Sequence, residues 1–86
     1  MEQTQALHLL VREMRSRLKL TQEEFAARLG VTFISINRWE NAKTRPSKMA
    51  IKLLKGLLIE MGDSGSDLLI TYFDDQTLSN LDRKLF

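Results

Sequence analysis

Two short apolar faces with almost no chain between them constrain this sequence more than anything else in it. Within TQEEFAARLGVTFISINRWEN, Thr21 to Asn41, the residues Phe25, Ala26 and Leu29 recur at the spacing of one helical face. Val31, Ile36 and Trp39 resume as a second face directly after Gly30. Thr21 and Glu24 form a capping box, in which the Thr hydroxyl accepts from the third helical N–H and the Glu carboxylate reaches back to the Thr amide. The first helix is therefore expected to start at about Gln22. Gly30 stands where a left-handed residue closes it without steric cost. Thr32 suits the N-cap of a second helix over roughly Thr32 to Glu40. Helices joined so closely meet at a steep angle, and Ala26 supplies the small side chain such a crossing needs. Phe33, Ile34, Asn37 and Arg38 then share the outward face near the N-terminal half of the second helix.

Helix pairs of this geometry bind DNA by laying the outer face of the second helix in the major groove. From about Val11 to Leu58 the chain resembles the Xre/Cro family of phage-repressor-type helix-turn-helix regulators. The resemblance rests on LTQEEFAARLGV, on the RWEN that ends the second helix, and on the KTRPS that follows. It implies an all-α, lambda-repressor-like helix-turn-helix bundle of four core helices, here with one or two short C-terminal helices added. It also implies that Arg15, late in the first helix of the chain, forms a structural ion pair with Glu40. A partly buried pair of that kind costs a few kcal/mol to break, roughly, whereas two solvated charges contribute almost nothing. The resemblance further aligns Gln22 with a glutamine that contacts a DNA phosphate; its amide suits both that contact and the bracing of a recognition-helix side chain. The free N–H groups and dipole of a helix N-terminus add to the phosphate contact.

Arg38 is the strongest candidate for base readout, because a guanidinium bonds O6 and N7 of guanine together, with a phosphate contact as the rival role. Asn37 suits adenine or the sugar-phosphate. Phe33 and Ile34 depart from the family's pattern, which favours polar or basic residues at these places. They have nothing to offer a base edge except packing on thymine methyls or exclusion of water, so a T-containing half-site is expected, with a protein contact as the rival role. Asn41, Lys43, Thr44 and Arg45 are expected to line the DNA backbone, positioning the helix without reading sequence. Trp39 is assigned to core packing with Ile36. The family commonly has Gly where Ala42 stands. An alanine there would be strained by about 1–2 kcal/mol at positive φ, so either Asn41 takes the left-handed turn or the loop differs.

Along the rest of the chain, Leu7, Leu10, Val11, Met14 and Leu18 give an amphipathic helix from about Gln5 to Leu18, after a frayed Met1 to Thr4. The single histidine, His8, has no partners at ligand spacing and is assigned no chemistry. Pro46 and Ser47 begin a fourth helix that runs to about Met61, with Ala50, Leu53, Leu54, Leu57, Leu58 and Met61 on a stripe wider than one small core needs. Gly62 ends it. The chain thus divides into residues 1–62, the DNA-binding domain, and residues 63–86, a dimerisation or partner-binding tail. Asp63 to Ser66 read as a linker. The β-branched and aromatic residues after Asp67 permit a strand, while Ser66 permits a helix start; a short helix from about Ser66 to Phe73 is favoured. Asp74 and Asp75 would end it, and Thr77 to Phe86 carries leucines at helical spacing.

Charge follows the same division. Residues 1–61 hold 11 Lys/Arg against 6 Asp/Glu, and residues 62–86 hold 2 against 5, so a basic domain precedes an acidic tail. The chain has 86 residues and no cysteine, which leaves no disulfide framework and no thiolate metal site, and fits a reducing cytoplasm. No apolar run is long enough to span a bilayer, and no nucleophile–base pair or pocket motif points to an enzyme. The expected partners are double-stranded DNA, a second copy of the chain, and a protein partner at the tail. No cofactor, metal or membrane is called for.

Overall fold

Each helix of this protein starts or stops where a local signal dictates. Among residues 6–73, which the computed structural model describes, the chain forms α1 (Leu7–Leu18), α2 (Gln22–Leu29), α3 (Phe33–Glu40), α4 (Lys48–Glu60), a 3-10 turn (Gly62–Ser64) and a helix through residues 66–73, α5. No described residue lies in a strand. The Thr21 hydroxyl accepts from the Glu24 amide at 3.0 Å while the Glu24 carboxylate accepts from the Thr21 amide at 2.9 Å, completing the capping box. Thr32 caps α3 through the Ser35 amide, and Ser47 caps α4 through the Ala50 amide. Pro46 therefore precedes the cap instead of opening the helix. Asp63 to Ser66, expected as a linker, instead form the end of the 3-10 turn, a single turn residue at Gly65 and the first residue of α5. The expectations for Met1 to Thr4 and for Asp74 to Phe86 lie outside the described residues.

Four helices end on a residue in the left-handed conformation: Lys19 after α1, Gly30 after α2, Ala42 after α3 and Gly62 after α4. Neither of the two arrangements anticipated near Ala42 occurs. Asn41 keeps a negative φ, and Ala42 itself takes φ 58°. The reason is hydrogen bonding. Ala42 N–H donates to the Trp39 carbonyl and Lys43 N–H to the Arg38 carbonyl at 2.8 Å, so this conformation satisfies two carbonyls that the end of α3 would otherwise leave open.

The core runs through all five helices. Leu10, Val11 and Met14 of α1, Phe25 of α2, Ile36 of α3, and Leu54 and Leu58 of α4 are fully buried, and Leu68 of α5 joins them. Full burial of each such side chain stabilises the fold by about 1.5–3 kcal/mol. Ala26 is also buried, and α3 packs on both α1 and α2. One member of the expected α4 stripe faces out: Leu53 is exposed, as are Met49 and Ile59, because the core takes only the Ala50–Leu54–Leu57–Leu58 side of the helix. Among the described residues no helix is long and apolar enough to cross a membrane.

Candidate nucleic-acid interface

The outer face of α3 is the most chemically distinct surface of the molecule. Phe33 is 45% exposed and Ile34 63%, on the first turn of α3, and Arg38 is exposed one turn later. No described residue hydrogen-bonds or ion-pairs with the Arg38 side chain. Asn37 sits differently. It is half-buried, and its side-chain amide donates to Gln22 Oε1 at 3.1 Å while its Oδ1 accepts from Asn41 Nδ2 at 3.3 Å. One amide hydrogen of Asn37 is left for any other contact.

Asn37 belongs to a polar seam beneath α3. The Arg15 guanidinium grips the Glu40 carboxylate with two nitrogens, Nε to Oε2 at 2.6 Å and Nη2 to Oε1 at 3.0 Å, and its third nitrogen donates to the Leu20 carbonyl at 3.1 Å. Gln22 Nε2 donates to the same Glu40 Oε1 at 2.9 Å. The seam thus runs Arg15, Glu40, Gln22, Asn37, Asn41, and it crosses α1, α2 and α3. Burial pushes the Glu40 carboxyl upward, but the bonds from Arg15 and Gln22, with the charges of Arg15 and Arg12, outweigh it and hold the group below the ordinary carboxylate value. The same bond to Glu40 raises the Arg15 pKa. A charged pair satisfied on every side fixes the angle at which α3 leaves the bundle.

Sequence reasoning placed Gln22 and Asn41 on the DNA phosphates. In the fold both spend part of their amides on α3: Gln22 braces Asn37 and Glu40, and Asn41 Nδ2 bonds the Asn37 carbonyl at 2.9 Å as well as its side chain. Gln22 keeps one amide hydrogen to offer outward, whereas both hydrogens of Asn41 Nδ2 are directed at Asn37, so Asn41 reaches a phosphate only by giving up one of those bonds. Lys43, Thr44 and Arg45 are exposed on the loop after α3, and no described residue pairs with their side chains. The bracing of a recognition-helix side chain expected of Gln22 is present in its bond with Asn37, while the Gln22–Glu40 bond and the Asn41 end of the seam had no signal in the sequence except that positions 37 and 41 lie one helical turn apart. A second ion-pair cluster was missed altogether. Arg17 donates to both oxygens of Asp67, at 2.7 and 3.0 Å, to the Ser64 carbonyl and to Glu13, tying α5 to α1.

Among the described residues no three His, Cys, Asp or Glu side chains gather as a metal site. What the surface presents is a short helix held rigidly from beneath, with an arginine and two apolar groups outward and unpaired cations on the loop at its end. That arrangement, two short helices turning on a glycine with the second one presented outward, defines a DNA-binding helix-turn-helix protein. The family model HTH_3, Helix-turn-helix, matches residues 11–58, more than half of the chain, and the chain belongs to that family of phage-repressor-type DNA-binding regulators. No curated protein and no solved structure matches the chain.

Proposed function

We propose that this protein binds a specific duplex DNA sequence as a homodimer and represses transcription by occupying its operator in the cytoplasm. The observation that carries this reading is the outward face of α3, where Phe33, Ile34 and Arg38 stand exposed together above the seam. Arg38 reads guanine through O6 and N7, and the apolar pair packs on thymine methyls. Asn37 contributes its one remaining amide hydrogen. Gln22, Asn41, Lys43, Thr44 and Arg45 hold the phosphates on either side. A dimer is supported by the exposed apolar residues Met49, Leu53 and Ile59 of α4 and Ile70 of α5, which a second copy would cover. Residues 63–86 then serve as the dimerisation segment, and the two reading helices meet half-sites about 34–36 Å apart on an inverted repeat.

Selection of bound duplexes from a random pool at near-physiological salt tests this. The expected result is an inverted repeat with T and G in each half-site, and loss of the G preference in Arg38→Ala, at a discrimination of roughly 1–3 kcal/mol. A second reading has its own observation. Ile34, the most exposed apolar residue of α3, also suits a protein surface, and the chain would then act as an antitoxin or controller subunit that binds DNA with a partner. A pool that yields no enriched sequence, with a stoichiometric protein bound at Phe33 and Ile34, would decide for that reading.

A further inference from the structure

An open groove lies between the start of α1 and the loop that follows α3. Its walls are Ala6 to His8 on one side and residues 42–46 on the other, with Trp39 between them. Trp39 is 6% exposed, and its indole N–H finds no acceptor among the described residues. An indole N–H on a residue that lines an open groove, with no acceptor among the described residues, is free to meet a ligand acceptor there. The start of α1 points to the same ligand independently. Ala6 provides no side-chain cap, and the first turn has no acidic residue. The Leu9 and Leu10 amides reach the Ala6 carbonyl, while those of Leu7 and His8 have no acceptor among the described residues. Open amides at a helix N-terminus favour an anion through their N–H groups and the helix dipole. Lys43, Thr44 and Arg45 complete the wall with two cations and a hydroxyl.

We propose that this groove seats a backbone phosphate of bound duplex DNA, held by the Trp39 indole N–H and the Leu7 and His8 amides together with the loop cations. The inference rests on the DNA-binding reading, because the strand that flanks the major groove beside the end of α3 is the phosphate source it names. It adds a neutral donor to the phosphate contacts, and that donor has a recognisable signature. A cation that displaces a counterion from the DNA lowers the salt slope of binding by about one when removed, whereas an indole N–H does not change the slope. Trp39 thus fixes where the backbone lies and contributes no charge.

Trp39 is the only tryptophan, so its indole N–H is a single resolvable signal in the full chain. The measurement is a 15N–1H spectrum of the isotope-labelled protein titrated with a duplex of unselected sequence, and separately with inorganic phosphate. Downfield movement of the indole signal with the Leu7 and His8 amides, on adding duplex, is the expected result. Movement of α3 and loop signals with a stationary indole overturns the seat and leaves the DNA reading standing. If no signal responds to duplex, the DNA reading fails; an indole that still moves with inorganic phosphate then keeps an anion site, and one that does not removes it. Trp39→Phe, checked for folding by circular dichroism, is expected to weaken duplex binding about ten-fold at unchanged salt slope, the loss of one charge-assisted hydrogen bond. Binding of a folded Trp39→Phe protein at wild-type affinity would overturn the proposal by the other route.

Discussion

Arg15 and Arg17 stand two residues apart on α1, and each holds a carboxylate with two guanidinium nitrogens. Arg15 reaches Glu40 on the helix that faces DNA; Arg17 reaches Asp67 on the C-terminal helix. Their hydrogen-bond distances are nearly the same, but the solvent around them is not. The side chain of Glu40 is 3% exposed and that of Asp67 is 63% exposed. Water screens the second pair at its carboxylate and reaches the first only from the Arg15 side, so similar hydrogen-bond distances describe very different contributions. The buried pair specifies how α3 is set on the bundle. The exposed pair orients α5, which is already held by Leu68 in the core.

Glu40→Ala should sharpen this contrast most. It strands Arg15 and frees Gln22, and the expected loss is about 3 kcal/mol by urea unfolding, the lower end for a broken buried pair because Arg15 keeps some solvent and its bond to the Leu20 carbonyl. The contrast breaks if the urea midpoint of Glu40→Ala matches that of Asp67→Ala. Acid is the next lever. Both carboxyls are held below their ordinary values, Glu40 despite its burial and Asp67 chiefly by the bond from Arg17. A depressed folded value means that the stability is present above the ordinary values of 4.5 and 3.8 and is lost as the pH falls through the folded ones. Stability measured between pH 5 and about 2 should therefore decline, and Glu40→Gln should flatten that decline more than Asp67→Asn.

A smaller effect of opposite sign is expected at Ala42. Glycine removes the cost of a Cβ at φ 58°, so Ala42→Gly should stabilise the fold by about 1 kcal/mol and leave the seam through Asn41 intact. A thermal scan reads it, and a destabilised variant would show that the loop relies on the alanine side chain. The smallest change belongs to Arg17→Ala. Its unfolding midpoint should stay within error of wild type, while amide exchange in α5 speeds up, since only the orientation of that helix depends on the pair. A midpoint shift as large as that of Glu40→Ala would erase the distinction between the two clusters.

Much of the bundle was readable because its signals are local. The capping box at Thr21 and Glu24, the caps at Thr32 and Ser47, and the glycine after α2 each act within one turn of chain, where a pattern of residue types is enough. The exposure of Phe33, Ile34 and Arg38 also followed from helical spacing alone. Asn37 shares that spacing, yet it turns toward Gln22, because a side chain's partner is chosen across a helix crossing that periodicity does not describe. The outward turn of Leu53 and the open indole of Trp39 are of the same kind.

What the sequence determined by itself is the set of helices, their ends and their apolar faces, since these depend on hydrogen bonds and sterics between near neighbours in the chain. What only the tertiary structure decided is which polar atoms are spent inside the bundle and which remain for a partner. Gln22, Asn37 and Asn41 lost much of their freedom to one another, while Arg38, Lys43 and Arg45 kept theirs. The physical reason is that satisfying a buried polar group requires a donor and an acceptor in contact. Contacts between residues 15 and 40, or 17 and 67, exist only once the helices have packed.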